Sequence, residues 1–243
     1  MSARKPVRQN VTLREVVTEL KTAANPVWVA QSQSKFGITT TSALGIRIPV
    51  LQKIAKTIGK NHDLAVQLWD QKIHEGRLLA AMIAEIEYTD EALMESWLHD
   101  FNSWDMVDGV CGSLFIYHEL AWQKAVEWTS REPEYEKRAG FTMMAGLAVH
   151  DKKATDKQFE QFFPLISKHS IDSRNFVKKA VNWALRQIGK RNAHLCKRSI
   201  AVAESILHKH SLPASTSESR SARWVANDAL RELGAIAIKM QWQ

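Results

Sequence analysis

The feature that most constrains this chain is that it repeats itself. Asn182-Trp183-Ala184-Leu185-Arg186-Gln187-Ile188-Gly189 aligns with Asn227-Asp228-Ala229-Leu230-Arg231-Glu232-Leu233-Gly234 at an offset of 45 residues, and Lys137-Arg138-Ala139 aligns with Lys178-Lys179-Ala180 at an offset of 41. Repeats of roughly 40–47 residues are the mark of helix pairs that cannot bury their apolar faces alone and stack into a solenoid. The expected fold is therefore all-α, a curved solenoid of antiparallel helix pairs forming an α-α superhelix, as one domain over 1–243 with a flexible N-terminal segment 1–10. Composition agrees, since 10 Gly and 6 Pro in 243 residues are too few for a sandwich or barrel that turns every eight to twelve residues.

Helix punctuation recurs along the chain. Pro49 opens a helical pattern that Gly59 closes, matching proline at a first turn and glycine just past a last one. Further helices are expected over about 10–23, 63–73, 75–87, 90–101, 105–116, 120–130, 134–148, 156–168, 173–191, 194–209 and 218–238. The Thr-rich, twice-glycine stretch 36–48 reads as an irregular connection with no assigned place, and 211–221 reads as a polar loop ending in a helix cap.

The longest apolar runs, 78–84 and 143–149, are seven residues, well short of a membrane span, and no secretory signal begins the chain. A cytoplasmic protein is expected. Cys111 and Cys196 stand 85 residues apart without metal-ligand spacing and read as small buried hydrophobes. No protease-like Cys–His pairing, phosphate-cradling glycine loop or His–carboxylate metal motif occurs, so neither a metal nor a cofactor is expected.

Charge is unevenly spread around the total of +7. Residues 1–61 hold 10 Lys and Arg against 2 Asp and Glu, residues 62–136 hold 4 against 16, and residues 168–243 hold 14 against 5. Such basic ends either straddle a polyanion, releasing its counterions, or form a solvated helix surface. The densest basic run lies between Asp172 and Arg198, and it supplies Arg174, Lys178, Lys179, Arg186 and Lys190 as candidate phosphate contacts.

On a helical wheel of 173–191, Val177, Val181, Ala184 and Ile188 form a core stripe, while Lys179, Trp183, Arg186 and Lys190 form a second stripe away from it. Trp183 thus sits among cations, where an indole either stacks on a nucleotide or packs beneath a neighbouring repeat. In the acidic middle, Trp104 and Asp108 stand one helical turn apart on a shared face while Asp105 points elsewhere. Those acids read either as functional or as a cap and a surface charge.

Taken together and in this order, 103–108 (SWDMVD), 137–139 (KRA), 175–186 (NFVKKAVNWALR) and, more loosely, 45–49 (GIRIP) resemble the DNA alkylation repair family of bacterial alkylpurine DNA glycosylases, the AlkD-like HEAT-repeat proteins, over about residues 35–210. The resemblance implies removal of cationic N3- or N7-alkylated purines from double-stranded DNA by a monomer without cofactors. It implies Asp108 as the catalytic carboxylate, Trp104 and Trp183 as the aromatic pair contacting the lesion-bearing nucleotide, and Arg138 as a basic residue on the DNA-facing surface. Gly109 and Gly112, just after the acid, depart from the pattern and are expected to loosen that helix. The competing expectation is a non-catalytic scaffold that binds DNA or a protein partner on the same basic face.

Overall fold

A computed structural model describes residues 11–211 and 216–242. The expected flexible segment 1–10 lies outside the described residues. Among them every regular element is a helix, as the repeat spacing and the composition imply. The chain divides into two compact units, Met1–His118 and Glu119–Gln243.

In the first unit, α1 (Leu13–Thr22) starts at a capping box in which Thr12 and Glu15 satisfy each other's backbone N–H groups. It is followed by α2 (Pro26–Phe36), α3 (Ile48–Ile58), α4 (His62–Trp69), α5 (His74–Ile83), α6 (Glu91–His99) and α7 (Trp104–Ser113). Nine of the ten residues of α5 are buried, and α3, α4 and α7 all pack on it. A helix surrounded in this way needs every polar side chain matched. Arg77, 6% exposed, donates to Asp100 at 2.7 Å and lies over the ring of Trp69, which itself stacks on Trp97. At the other end, Lys60 Nζ donates to the terminal carbonyls of Met82 and Ala84.

Helix α2 is an element that the periodicity of the sequence does not reveal. Its signals are nevertheless local: Asn25 caps it by accepting from Trp28 N, Pro26 fills its first turn, and Gly37 ends it in the left-handed region. Its apolar residues are spread around the helix instead of along one stripe, and only Ser32 is buried, so a search for a stripe passes over it.

The second unit runs α8 (Ala121–Glu127), α9 (Glu134–His150), α10 (Asp156–Glu160), α11 (Phe163–His169), α12 (Asn175–Gly189), α13 (Ala193–Lys209) and α14 (Ser217–Lys239). The helix expected over 156–168 is two short ones, α10 and α11, interrupted at Gln161–Phe162, where the buried Phe159, Phe162 and Phe163 all turn inward. Helix α9 has twelve of its seventeen residues buried. Helix α12 packs against α9, α13 and α14, and Asn182 Nδ2 donates to Val225 O of α14 at 3.0 Å. The internal repeats of the sequence thus fall on three helices that stack in succession, α9, α12 and α14. Val177, Val181, Ala184 and Ile188 are all fully buried, as the wheel places them, and both cysteines are buried.

Of the expected polar loop over 211–221, residues 212–215 lie outside the described residues. Thr216 caps α14 through its hydroxyl, which accepts from Ser219 N.

Candidate nucleic-acid interface and active-site residues

Helix α7 of the first unit carries the candidate acidic residues. Trp104 and Asp108 lie one turn apart on it, and both are half-buried. The indole of Trp104 donates through Nε1 to Phe36 O at 2.8 Å, which fixes the ring against the end of α2. The two glycines do not loosen this helix, which runs unbroken through Gly109 and Gly112. A Cβ at position 109 would stand 2.5 Å from Leu78 Cδ2 of α5, whereas one at 112 would meet nothing within 4 Å. Gly109 therefore lets α7 approach α5 closely, which is what a small residue at a helix crossing does.

Asp105 is engaged with the buried helix α5. Its Oδ2 lies 2.8 Å from Nε2 of His74, a side chain only 4% exposed. Burial pushes the His74 imidazole toward the neutral form, but the hydrogen bond and negative charge of Asp105 outweigh it and hold its pKa above the ordinary value. Burial likewise opposes ionisation of Asp105, yet the His74 hydrogen bond and charge, with a smaller contribution from Ser103, keep its carboxyl below the ordinary range. His74 has no periodic or motif signal in the sequence, and its partner is 31 residues away, so the sequence alone does not reveal it.

The second unit carries the candidate basic residues. Trp183 is half-buried on α12, and its indole makes no hydrogen bond or ring contact with the described residues. Around it the candidate cations differ sharply in their engagement. Arg138 is 5% exposed and donates to Phe176 O at 2.7 Å. It belongs to α9, the most enclosed helix of the unit, and its guanidinium ties α9 to the start of α12. Arg174 clamps Asp172 through Nε and Nη2 at 3.0 and 2.6 Å and reaches Glu132 O with Nη1, a bidentate arrangement that fixes the first turn of α12. Lys178 Nζ stands 5.4 Å from the Trp224 ring centroid.

Arg186 and Lys190 both pair with Glu232 of α14, and Arg186 Nε also approaches Asp228 at 3.7 Å. Burial opposes ionisation of Glu232, but the hydrogen bonds and charges of Lys190 and Arg186 hold its carboxyl below the ordinary range. Lys179 is exposed and, alone among these six, makes no ion pair, hydrogen bond or ring contact with the described residues.

The first unit thus holds an acid and an indole on one face of α7, and the second holds an indole on α12, a helix that also carries several cations. A protein-family model described as DNA alkylation repair enzyme matches residues 16–233. The chain belongs to the DNA alkylation repair enzyme family. This match reaches beyond the 35–210 over which the sequence motifs carry a resemblance, taking in most of α1 and α2 at one end and most of α14 at the other. A solved structure described as a new family of proteins related to the HEAT-like repeat DNA glycosylases, with affinity for branched DNA structures, is 18% identical, with a TM-score of 0.72 over 80% of this chain and 83% of that one. At that identity the likeness establishes the all-helical, HEAT-like fold of this family member. No curated protein matches the chain in sequence.

Proposed function

We propose that the protein is a monofunctional alkylpurine DNA glycosylase, acting as a monomer on double-stranded DNA in the cytoplasm. Asp108 would be its catalytic carboxylate, and Trp104 and Trp183 would contact the damaged nucleotide. The observation that carries this reading is the pairing of Trp104 with Asp108 on one face of α7, both half-exposed, in a chain of the DNA alkylation repair family.

The chemistry suits one acid. A purine alkylated at N3 or N7 already carries positive charge, so it leaves as a neutral base and asks for no general acid. What remains to be stabilised is the oxocarbenium-like sugar, and a single carboxylate beside it both offsets that charge and orients or deprotonates the attacking water. Indole faces add a cation–π preference of roughly 0.5–2 kcal/mol for a charged lesion over its neutral parent. The monofunctional assignment is supported by the setting of Lys178, Lys179 and Lys190 in one basic run, where an amine far more often contacts phosphate than attacks the sugar. Among the phosphate contacts, Lys179 is available as it stands, and Arg186 and Lys190 become available by exchanging Glu232 for a phosphate. Arg138 and Arg174 act in this reading by holding the ends of α9 and α12 in place.

Incubation of 7-methylguanine-containing duplex with the wild type and with Asp108→Asn tests the assignment. Base release by the wild type and loss of at least a hundredfold in the variant is expected. Equal release from both removes Asp108 from the chemistry. A second reading, a non-catalytic DNA-binding protein, is favoured by the branched-DNA affinity of the structural neighbour's family. It predicts salt-sensitive binding to duplex and junction DNA with no abasic product from either protein.

A further inference from the structure

Residues 26–61 hold five cations, Lys35, Arg47, Lys53, Lys56 and Lys60, and no Asp or Glu. Lys60 serves the end of α5. Lys35, Arg47, Lys53 and Lys56 are all exposed and form no ion pair with the described residues. The cations along 174–190 differ, since Arg174, Arg186 and Lys190 each have a carboxylate at hand. Four uncompensated positive charges on α2, α3 and the turn between them are matched only by an anionic partner.

Beside these charges lies a cavity of about 320 Å³ whose walls include Trp28, Phe36, Ile38, Ile48, Pro49 and Leu78. Arg47 lines it too, its guanidinium 5.0 Å from the centroid of the Trp28 ring. Lys35 follows Trp28 by seven positions on α2, and Lys53 and Lys56 follow Pro49 by four and seven on α3, so each shares a helix face with a wall residue. Phe36 and Ile48 are 47% and 42% exposed, so the apolar wall reaches the surface.

The walls are held in place from within. Glu75, 3% exposed, accepts from three successive backbone N–H groups, Leu44, Gly45 and Ile46, at 2.8, 2.6 and 3.0 Å. Gly45 has φ +76°, and a Cβ there would lie 2.2 Å from Asn25 O. Asn25 N in turn donates to Leu44 O at 2.7 Å. The connection 37–47, which has no regular structure, is thereby fastened to both α2 and α5, and Trp104 Nε1, donating to Phe36 O, braces the end of α2. The two acids that line the cavity are engaged inside the protein, Glu75 with its three amides and Asp105 with His74. The unmatched His74 Nδ1 and Asp105 Oδ1 are closed to solvent. A polar edge buried in the cavity exchanges its hydrogen bonds to water for none, whereas an apolar side chain loses nothing there.

We propose that this face docks an acidic peptide segment of a protein partner. One large apolar side chain of the segment enters the cavity beside Trp28, Phe36, Ile48 and Pro49, and flanking carboxylates meet Lys35, Arg47, Lys53 and Lys56. A polyanion without apolar groups matches the cations and leaves the cavity unfilled, while the peptide matches both. Residues 1–10 carry Arg4, Lys5 and Arg8 and no acid, so they have the wrong charge for this place. The face uses neither Asp108 nor Trp183, and the proposal does not rest on the glycosylase reading.

Fluorescence anisotropy of the full chain with a fluorescein-labelled peptide of aspartates around one central phenylalanine tests the face. Saturable one-to-one binding is expected, at least tenfold weaker with serine in place of the phenylalanine and at least tenfold weaker with asparagines in place of the aspartates. Ile48→Asp and, separately, the double variant Lys53→Glu, Lys56→Glu are each expected to weaken binding at least tenfold with an unchanged circular dichroism spectrum. Absence of saturation up to millimolar peptide, equal affinity for the serine peptide, or undiminished binding in either folded variant overturns the proposal. A thymidine oligonucleotide that binds more tightly than the peptide and loses at least tenfold in Ile48→Asp assigns the face to nucleic acid and also overturns it. So does a wild-type dimer in light scattering that Ile48→Asp converts to a monomer, which assigns the face to a second copy of the chain. Asp108→Asn, inactive under the glycosylase reading, is expected to bind the peptide like the wild type, so failure of one proposal is distinguishable from failure of the other.

Discussion

At the scale of single residues, the His74–Asp105 pair makes stability depend on pH in two directions. The folded-state pKa of His74 is raised, so its contribution is complete below the ordinary histidine value of 6.5 and is lost as pH rises through the raised value. The folded-state pKa of Asp105 is lowered, so its contribution is complete above the ordinary value of 3.8 and is lost as pH falls through the lowered one. Urea unfolding followed across this range is expected to show stability declining above about pH 6.5 and again below about pH 4, with the upper decline absent in His74→Gln. An upper decline that survives in this variant removes the pair as its cause. The pair also shows the limit of reading residues one at a time. Trp104, Asp105 and Asp108 are conspicuous as a local cluster, and the wheel separates Asp105 from the other two, but what Asp105 touches depends on how α7 crosses α5, which no local spacing encodes. Arg138 shows the same limit from the other side: nothing local distinguishes a cation on a solvent-facing helix from one on a helix enclosed by its neighbours.

At the scale of helices, the two glycines of α7 predict opposite outcomes. Gly109→Ala drives a methyl group into Leu78 and is expected to cost about 1–3 kcal/mol by urea unfolding, the usual range for overpacking. Gly112→Ala meets open space and is expected to stabilise by up to about 1 kcal/mol, from helix propensity. Equal effects at the two positions contradict the α5–α7 approach. On α12 and α14, Glu232 neutralises two candidate phosphate contacts at once. Under the proposed function, Glu232→Gln frees Arg186 and Lys190 and is expected to raise duplex affinity and steepen the dependence of log affinity on log salt by about two units. Unchanged affinity and slope indicate that these cations serve only the α12–α14 contact. Helix positions themselves were legible in sequence because their start and stop residues are local, as with Pro49 and Gly59. Helix α2 was not, because an apolar stripe is the stronger signal and α2 lacks one.

At the scale of the whole chain, the charge asymmetry follows the division into units. The first unit carries 12 Lys and Arg against 13 Asp and Glu, a net charge of −1, and the second carries 21 against 13, a net charge of +8. If long-range attraction to DNA resides in the second unit, Lys179→Ala is expected to lower the salt slope by about one unit and weaken binding to all sequences alike. The double variant Lys53→Ala, Lys56→Ala, on exposed positions of α3 in the first unit, is expected to leave the slope unchanged. Fluorescence anisotropy at several salt concentrations checks both, and a larger effect from α3 reverses the assignment. The solenoid class was readable because its repeats are written into the sequence at 41 and 45 residues. The boundary between the units was not, since no Gly, Pro or Ser cluster marks the residues around His118. The three amides bound by Glu75 lie about thirty positions before it in the chain, so a designer who moves the 37–47 segment onto another helical scaffold must carry Asn25 and Glu75 with it, and a library that randomises the segment while fixing those two side chains and Gly45 should keep its shape.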